Sequence, residues 1–236
     1  MSFENGAGLS TDLRLLRSVL EPAGYQVRFW DFRDPDMPPC DLAVFVETLA
    51  PPLVPATRRT AAIVNAEYLT PEARTALDDV DEVWTKTLEL HHKLTDDGVR
   101  CHYTGFLAED LYDPSTPRAL ECVHVAGYSS AKGTEEVLRA WQAHPQLPPL
   151  HLVAGWDLTE KTGWPDDEVM PAGVLRHHWL ERDQLAALMN RCLIHVCPSR
   201  AEGWGHHIAE GLLMGAAVVT TDASPMHEHV RPEWGH

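Results

Sequence analysis

The chain has 236 residues, 44% of them hydrophobic, enough for one large domain or two small ones with separate cores. Its net charge of −16, counted with neutral histidines, repels nucleic acid phosphates and anionic lipid, so neither is expected as a partner. Five scattered cysteines without a C-x-x-C pair suit reduced thiols, no stretch reaches the ~20 apolar residues of a membrane span, and no signal peptide opens the chain, so a cytoplasmic location is expected. A pocket's local field can still favour a small anionic ligand.

In chain order, SFE reads as a short strand that runs into the glycine turn NGAGLS. Leu9, Leu13, Leu16 and Leu20 follow at helical spacing, with Ser10 placed to cap and Gly24 placed to stop. VRFW (27–30), DLAVFVE (41–47), TAAIVN (60–65) and DEVWT (81–85) are short, apolar and rich in β-branched or aromatic residues, as strands are. TPEARTAL (70–77) and TLELHHKL (87–94) read as helices, and RCHYTGF (100–106) as a further strand. LYDPSTPRAL carries two prolines and reads as a linker, which divides the chain into 1–114 and 115–236.

A second series follows the linker. CVHVAG (122–127), LHLVAG (150–155), GVLRH (173–177), LIHVCPS (193–199) and AAVVTTD (216–222) read as strands. TEEVLRAW (134–141) and ERDQLAALMNRC (181–192) read as helices between them. Apolar strands separated by helices indicate α/β architecture: two doubly wound, Rossmann-like domains, each with a parallel sheet covered on both faces. Ligands of such sheets bind beyond the carboxyl ends of the strands. NGAG, GYSSAKG, EGWG and DASPMHE all fall there, so a cleft between the halves is the expected site.

Each loop offers its own chemistry. Gly6 and Gly8 let backbone amides approach an anion at a helix start, although a plain tight turn has the same sequence. GAGLST also imitates a dinucleotide fingerprint with Asp31 at the ribose position, but Thr11 stands where that motif needs a small residue. Lys132 precedes a helix start and suits phosphate, against the ordinary alternative of a solvated lysine. In EGWGHHIAEG, Glu202 and Glu210 suit vicinal hydroxyls, while the glycines free the amides of Trp204, Gly205 and His206. Gly211 and Gly215 cost the following helix ~1 kcal/mol each relative to alanine, which points to close backbone packing. Adjacent histidines such as His206–His207 diverge, and no H-E-x-x-H or cysteine cluster accompanies them, so no metal is expected.

The stretch CPSRAEGWGHHIAEGLLMGAAVVTTDASPMHE contains Glu, seven residues, Glu. It resembles the C-terminal domain of the family-four, GT-B-fold, retaining glycosyltransferases. VAGYSSAKGTEEVLRAW is similar to that family's glycine-to-lysine loop and helix, and ENGAGLSTDLRLL to its N-terminal glycine loop. VNAEYL and DEVWTKT resemble segments of its N-terminal domain. The resemblance implies transfer of a sugar, with retention, from a nucleotide-sugar bound as substrate to an acceptor that the motifs do not identify. It implies no cofactor and no obligatory metal. Glu210 would hold ribose hydroxyls. Glu202 with the amides of Trp204, Gly205 and His206 would hold the sugar. Lys132 with Gly6 and Gly8 would hold the departing diphosphate. Ser129 and Glu228 would lie on the donor side, and Lys132 and Glu202 would be the catalytic pair.

The chain departs from that pattern at three places. Tyr128 stands where the family has arginine or lysine, which leaves Arg200 or Arg176 to substitute. Asn65-Ala66-Glu67 stands where many relatives carry a histidine. The second sheet stops after AAVVTT, so the chain reads as shortened at its C-terminus, with apolar surface that favours self-association. The alternative to an enzyme is therefore a non-catalytic nucleotide-binding remnant or a partner subunit.

Overall fold

The structure is a computed structural model that describes residues 8–31, 33–34, 36–47, 49, 57–66, 69–127, 129–165 and 169–231. The chain forms two compact units, Met1–Leu107 and Ala108–His236.

The first unit begins with α1 (Gly8–Leu20), whose Leu9 and Leu13 are buried against Val46. β1 (Ala43–Val46), β2 (Thr60–Val64), β3 (Glu82–Thr85) and β4 (Cys101–Tyr103) pair in parallel in that order. β2 is buried along its whole length, which is why TAAIV is a continuous apolar run rather than an alternating one. α2 (Pro71–Ala76) starts on Thr70, whose side chain accepts the Ala73 amide, and Pro71 sits where a missing N–H costs nothing. α3 (Leu88–Asp96) starts the same way on Thr87 and buries Leu90 and Leu94.

Expectations fail or go unanswered at several points here. VRFW (27–30) forms no strand: a cavity of about 440 Å³ lies between this segment, α1 and β1, so its backbone stands off from the sheet. Asp31 is gripped by Arg33, whose Nε lies 2.8 Å from Oδ1, and these hydrogen bonds hold its carboxyl down at about 2. A dinucleotide ribose would have to compete with that guanidinium. SFE, Gly6 and Glu67 lie outside the described residues.

The second unit carries β5 (Ala119–Val125), α4 (Thr134–Ala143), β6 (Leu150–Val153), α5 (Leu158–Thr162), β7 (Val174–His177), α6 (Arg182–Arg191), β8 (Cys192–Cys197), α7 (His206–Leu213), β9 (Ala217–Thr220) and α8 (Met226–His229). Its five strands are parallel, in the order β7-β6-β5-β8-β9. The chain fills one side of β5 and then crosses to the other at β8. The winding reverses between β5 and β8, and the loops that leave their carboxyl ends lie against each other, the Arg200 amide 2.7 Å from the Ala131 carbonyl.

Alternate residues of these strands face two cores. Cys122, Leu150, Leu152 and Val174 pack with Leu138, Trp141, Leu158 and Trp164 on one face. Val123 and Val153 pack with Met189, Cys192 and Met214 on the other. Gly211 explains its presence in α7: a Cβ there would lie 2.7 Å from His195 Nδ1 and 3.1 Å from Val218 Cγ2. The segment after Leu107 is tied to this unit by Asn190 of α6, which donates to the Leu111 carbonyl and accepts the Asp113 amide.

Candidate functional site

Two loops meet beyond the carboxyl ends of β5 and β8. The first runs from Ala126 to Gly133. Ser129 accepts the Ala131 amide at 3.2 Å and so winds Ser130–Lys132 into a single 3-10 turn. Gly133 then takes a left-handed conformation at φ +73° and opens α4. No other residue fits there, because a Cβ would sit 2.3 Å from the Pro198 carbonyl oxygen.

Beneath this loop, Thr134 donates its hydroxyl to His124 Nε2 at 3.0 Å, and His124 Nδ1 donates to the Val196 carbonyl at 2.7 Å. Burial pushes the His124 imidazole down to about 4, with Lys132 nearby adding to the shift, so it is neutral and can play both parts.

The second loop runs from Pro198 to Gly205. The Arg200 amide donates to the Ala131 carbonyl at 2.7 Å, and its guanidinium donates to the Ser130 carbonyl and to Glu136. Gly205 turns the chain at φ +96° into α7, which begins without a side-chain cap. The first amides of that helix are thus turned toward the loop, where a helix start favours negative charge. His229 Nε2 donates to the Trp204 carbonyl at 2.6 Å and meets the indole edge-on, so α8 fixes the loop from behind.

A side-chain ion pair also joins the two loops. Lys132 Nζ lies 2.6 Å from Glu202 Oε1, with the two side chains 19% and 9% exposed. The same ammonium lies 3.4 Å from His207 Nδ1, and His207 Nε2 lies 3.4 Å from Ser199 Oγ. An ammonium can only donate, so His207 Nδ1 accepts and the ring proton sits on Nε2 toward Ser199. Burial, then the charge of Lys132, holds His207 well below its ordinary value and keeps it neutral. The group is a cation beside a carboxylate, at the strand ends next to a helix start. It can bind phosphate and hydroxyls together, and the positive charge is supplied by lysine.

The sequence-predicted residues distribute as follows. Lys132 and Glu202 are in direct contact, and Ser129 shapes the lysine turn. Trp204, Gly205 and His206 form the entry to α7. Glu210 lies half-buried on α7, one turn further on, where its charge acts on Arg182 and on the Cys197 thiol. Glu228 lies in α8 and accepts from Ser224 Oγ at 3.1 Å. Gly8 opens α1 in the first unit, whereas Tyr128 lies outside the described residues. Arg200 is engaged as described, and Arg176 donates to the Trp156 carbonyl. Sequence reasoning missed His124, His207, Ser199 and His229 as supports. The signal was present in part: His124 sits mid-strand in CVHVAG among apolar neighbours, where a polar group must find partners.

The first unit's strand ends also hold buried polar groups. Lys86 Nζ pairs with Asp12 Oδ2 at 2.9 Å, both side chains 2% exposed, and Asn65 donates to Glu47, which adopts φ +63°.

Residues 119–234 match the family model described as glycosyl transferases group 1. No curated protein matches the chain in sequence. Three solved structures illustrate its likeness in fold. The pneumococcal O-GlcNAc transferase GtfA, solved with UDP and GlcNAc, is 13% identical at a TM-score of 0.61, over 84% of this chain and 45% of its own. TarM is 11% identical at a TM-score of 0.63, over 79% of this chain and 42% of its own. A sucrose-phosphate synthase from Thermosynechococcus elongatus is 15% identical at a TM-score of 0.61, over 95% of this chain and 63% of its own. The fold is that of the GT-B glycosyltransferases, and this chain spans less than two thirds of each of these structures.

Proposed function

We propose, from the premise that residues 119–234 belong to the group 1 glycosyl transferases, that the chain transfers a sugar from a nucleotide-sugar to an acceptor hydroxyl with retention. The observation that carries this reading is the Lys132–Glu202 contact of 2.6 Å at the strand crossover. It supports the reading because one cation and one carboxylate stand within a single ligand's reach, beside the start of α7.

In the reaction, the bond from the anomeric carbon to the diphosphate oxygen breaks. A bond to the acceptor oxygen forms, and the acceptor's proton leaves with the diphosphate or to water. Lys132 offsets the charge that grows on the departing diphosphate. Glu202 turns from Lys132 to the sugar hydroxyls when donor binds. The amides of Trp204, Gly205 and His206 take further sugar or phosphate oxygens, and Glu210 takes the ribose. Ser129 and Glu228 complete the donor side within the second unit. The protein needs no metal for this step, because lysine and helix amides supply the positive charge.

A panel of nucleoside diphosphates and nucleotide-sugars, screened by thermal unfolding, tests the reading. A cognate ligand at ~100 times its dissociation constant adds ~2.7 kcal/mol to the unit that binds it. Lys132→Ala should abolish that gain for diphosphates and leave nucleosides unaffected. A wild-type protein that no member of the panel stabilises would overturn the proposal.

A further inference from the structure

At the opposite ends of the same strands, a second cluster joins residues far apart in sequence. Glu121 is the third residue of β5, His151 the second of β6 and Cys192 the first of β8. One donor atom from each lies within 4.8 Å of the other two. We propose that Glu121, His151 and Cys192 form a zinc site, with water as the fourth ligand, that staples the three central strands of the second unit together.

The donor set favours this metal. Thiolate, imidazole and carboxylate together suit zinc, whereas calcium and magnesium take oxygen ligands. The imidazole and the carboxylate already stand near the spacing the ion requires, and the thiol lies within 4.8 Å of both. Two ligands at ~2.1 Å in a tetrahedral arrangement stand roughly 3.4 Å apart. His151 Nε2 and Glu121 Oε2 are 3.1 Å apart, so a small opening admits the ion between them.

The surroundings match what an imidazole and a carboxylate need when they bind metal. His151 Nδ1 lies 2.9 Å from His177 Nε2, and the rings stack at 5.2 Å. With zinc on Nε2, the His151 proton moves to Nδ1 and is donated to His177 Nε2, whose own proton shifts to its Nδ1, and the bond fixes the ring's orientation. Arg191 Nη2 holds the other carboxylate oxygen of Glu121 at 2.7 Å, leaving Oε2 for the ion. The charges balance: Zn²⁺ meets one carboxylate and one thiolate, and the only proton lost to solvent is that of the Cys192 thiol. Cys192 is fully buried, while the Glu121 side chain is 17% exposed and provides the way in.

The test uses the full chain, stripped with chelator and titrated with Zn²⁺ and, as a spectroscopic probe, Co²⁺. One equivalent of zinc should bind, and Co²⁺ should give tetrahedral visible bands with a sulfur-to-cobalt charge-transfer band. Cys192→Ser should remove the charge-transfer band. Cys101→Ser, which alters the other cysteine beside a histidine, should keep it. His177→Phe should keep the band but weaken zinc about 10- to 100-fold. If Cys192→Ser does not fold, Glu121→Gln replaces it, and at least a tenfold loss of zinc affinity is expected. The absence of a charge-transfer band in the wild type, its survival in Cys192→Ser, or unchanged zinc affinity in Glu121→Gln overturns the proposal.

Discussion

Lys132 donates to Glu202 across 2.6 Å, so a phosphate that enters the site meets a lysine already engaged by a carboxylate. Removing that carboxylate leaves the lysine for the ligand. Glu202→Ala should tighten binding of a free nucleoside diphosphate by roughly 3- to 10-fold while weakening the corresponding nucleotide-sugar. Calorimetric titration with both ligands checks it. Loss of affinity for both in equal measure would show that Glu202 serves only to build the loop.

Glu210 stands one turn into α7, away from the Lys132 contact, and is assigned to ribose. A charge-assisted hydrogen bond there is worth ~1.5–3 kcal/mol, so Glu210→Ala should weaken a nucleoside diphosphate roughly 10- to 150-fold. Inorganic pyrophosphate, which lacks ribose, should bind Glu210→Ala as it binds the wild type. Equal loss for both would contradict the assignment.

Gly133 and Gly98 both adopt left-handed backbones, at φ +73° and +80°. An added Cβ meets the Pro198 carbonyl oxygen at 2.3 Å in the first case and nothing within 4 Å in the second. Gly98→Ala should cost only the conformational ~1–2 kcal/mol. Gly133→Ala should cost a further 1–3 kcal/mol or so, because the backbone itself must move. Urea unfolding of the two variants compares them directly.

Burial lowers His124 from its ordinary value to about 4, so the unfolded chain binds its proton at a higher pH than the folded unit does. The stabilising contribution is complete above about pH 6.5 and is lost as pH falls from 6.5 toward 4. The span corresponds to a loss on the order of 3 kcal/mol. Unfolding of the second unit at stepped pH, by tryptophan fluorescence, should show a slope to which His207, His195 and His229, also held low by burial, contribute, and His124→Gln should reduce it by His124's share.

β9 is one of the two edge strands of the second sheet among the described residues. Val219 on it is 55% exposed, and Leu213 just before it is 46% exposed. An apolar edge of this kind templates pairing with another chain. Light scattering should therefore show association that grows with concentration, and Val219→Lys should suppress it. A strictly monomeric wild type would remove the basis for this expectation.

The second unit was largely legible in the sequence, and the first only in part. Its strands are short apolar runs, three of them (β5, β6 and β8) running into glycine or proline, and helices α4 and α6 carry their own starts. The capping box between Glu181 and Gln184 is an example that needs no tertiary information. Helix α5 went unread because it spans only Leu158–Thr162 and rests on the Asp157 cap rather than on any periodicity. VRFW misled for the opposite reason: it has the composition of a strand, but a strand needs a neighbour at pairing distance, and composition does not report distance.

The site was legible as two separate motifs and not as one contact. Lys132 and Glu202 are seventy residues apart, and only the strand order β6-β5-β8 brings their loops together. The histidines beneath them escaped because their role rests on burial and on partners from other elements, which the local sequence does not report. His207 acts through its burial.

The fit of Gly133 against Pro198, reinforced by the Arg200 amide on the Ala131 carbonyl, has a consequence for how this site can change over generations. Neither loop can gain or lose a residue alone, because each is the template for the other's length. Variation in ligand preference must therefore come by exchange of side chains on a fixed backbone, or by paired insertions on both sides. A lengthened variant of one loop should reach function only when selected together with a compensating change in its partner.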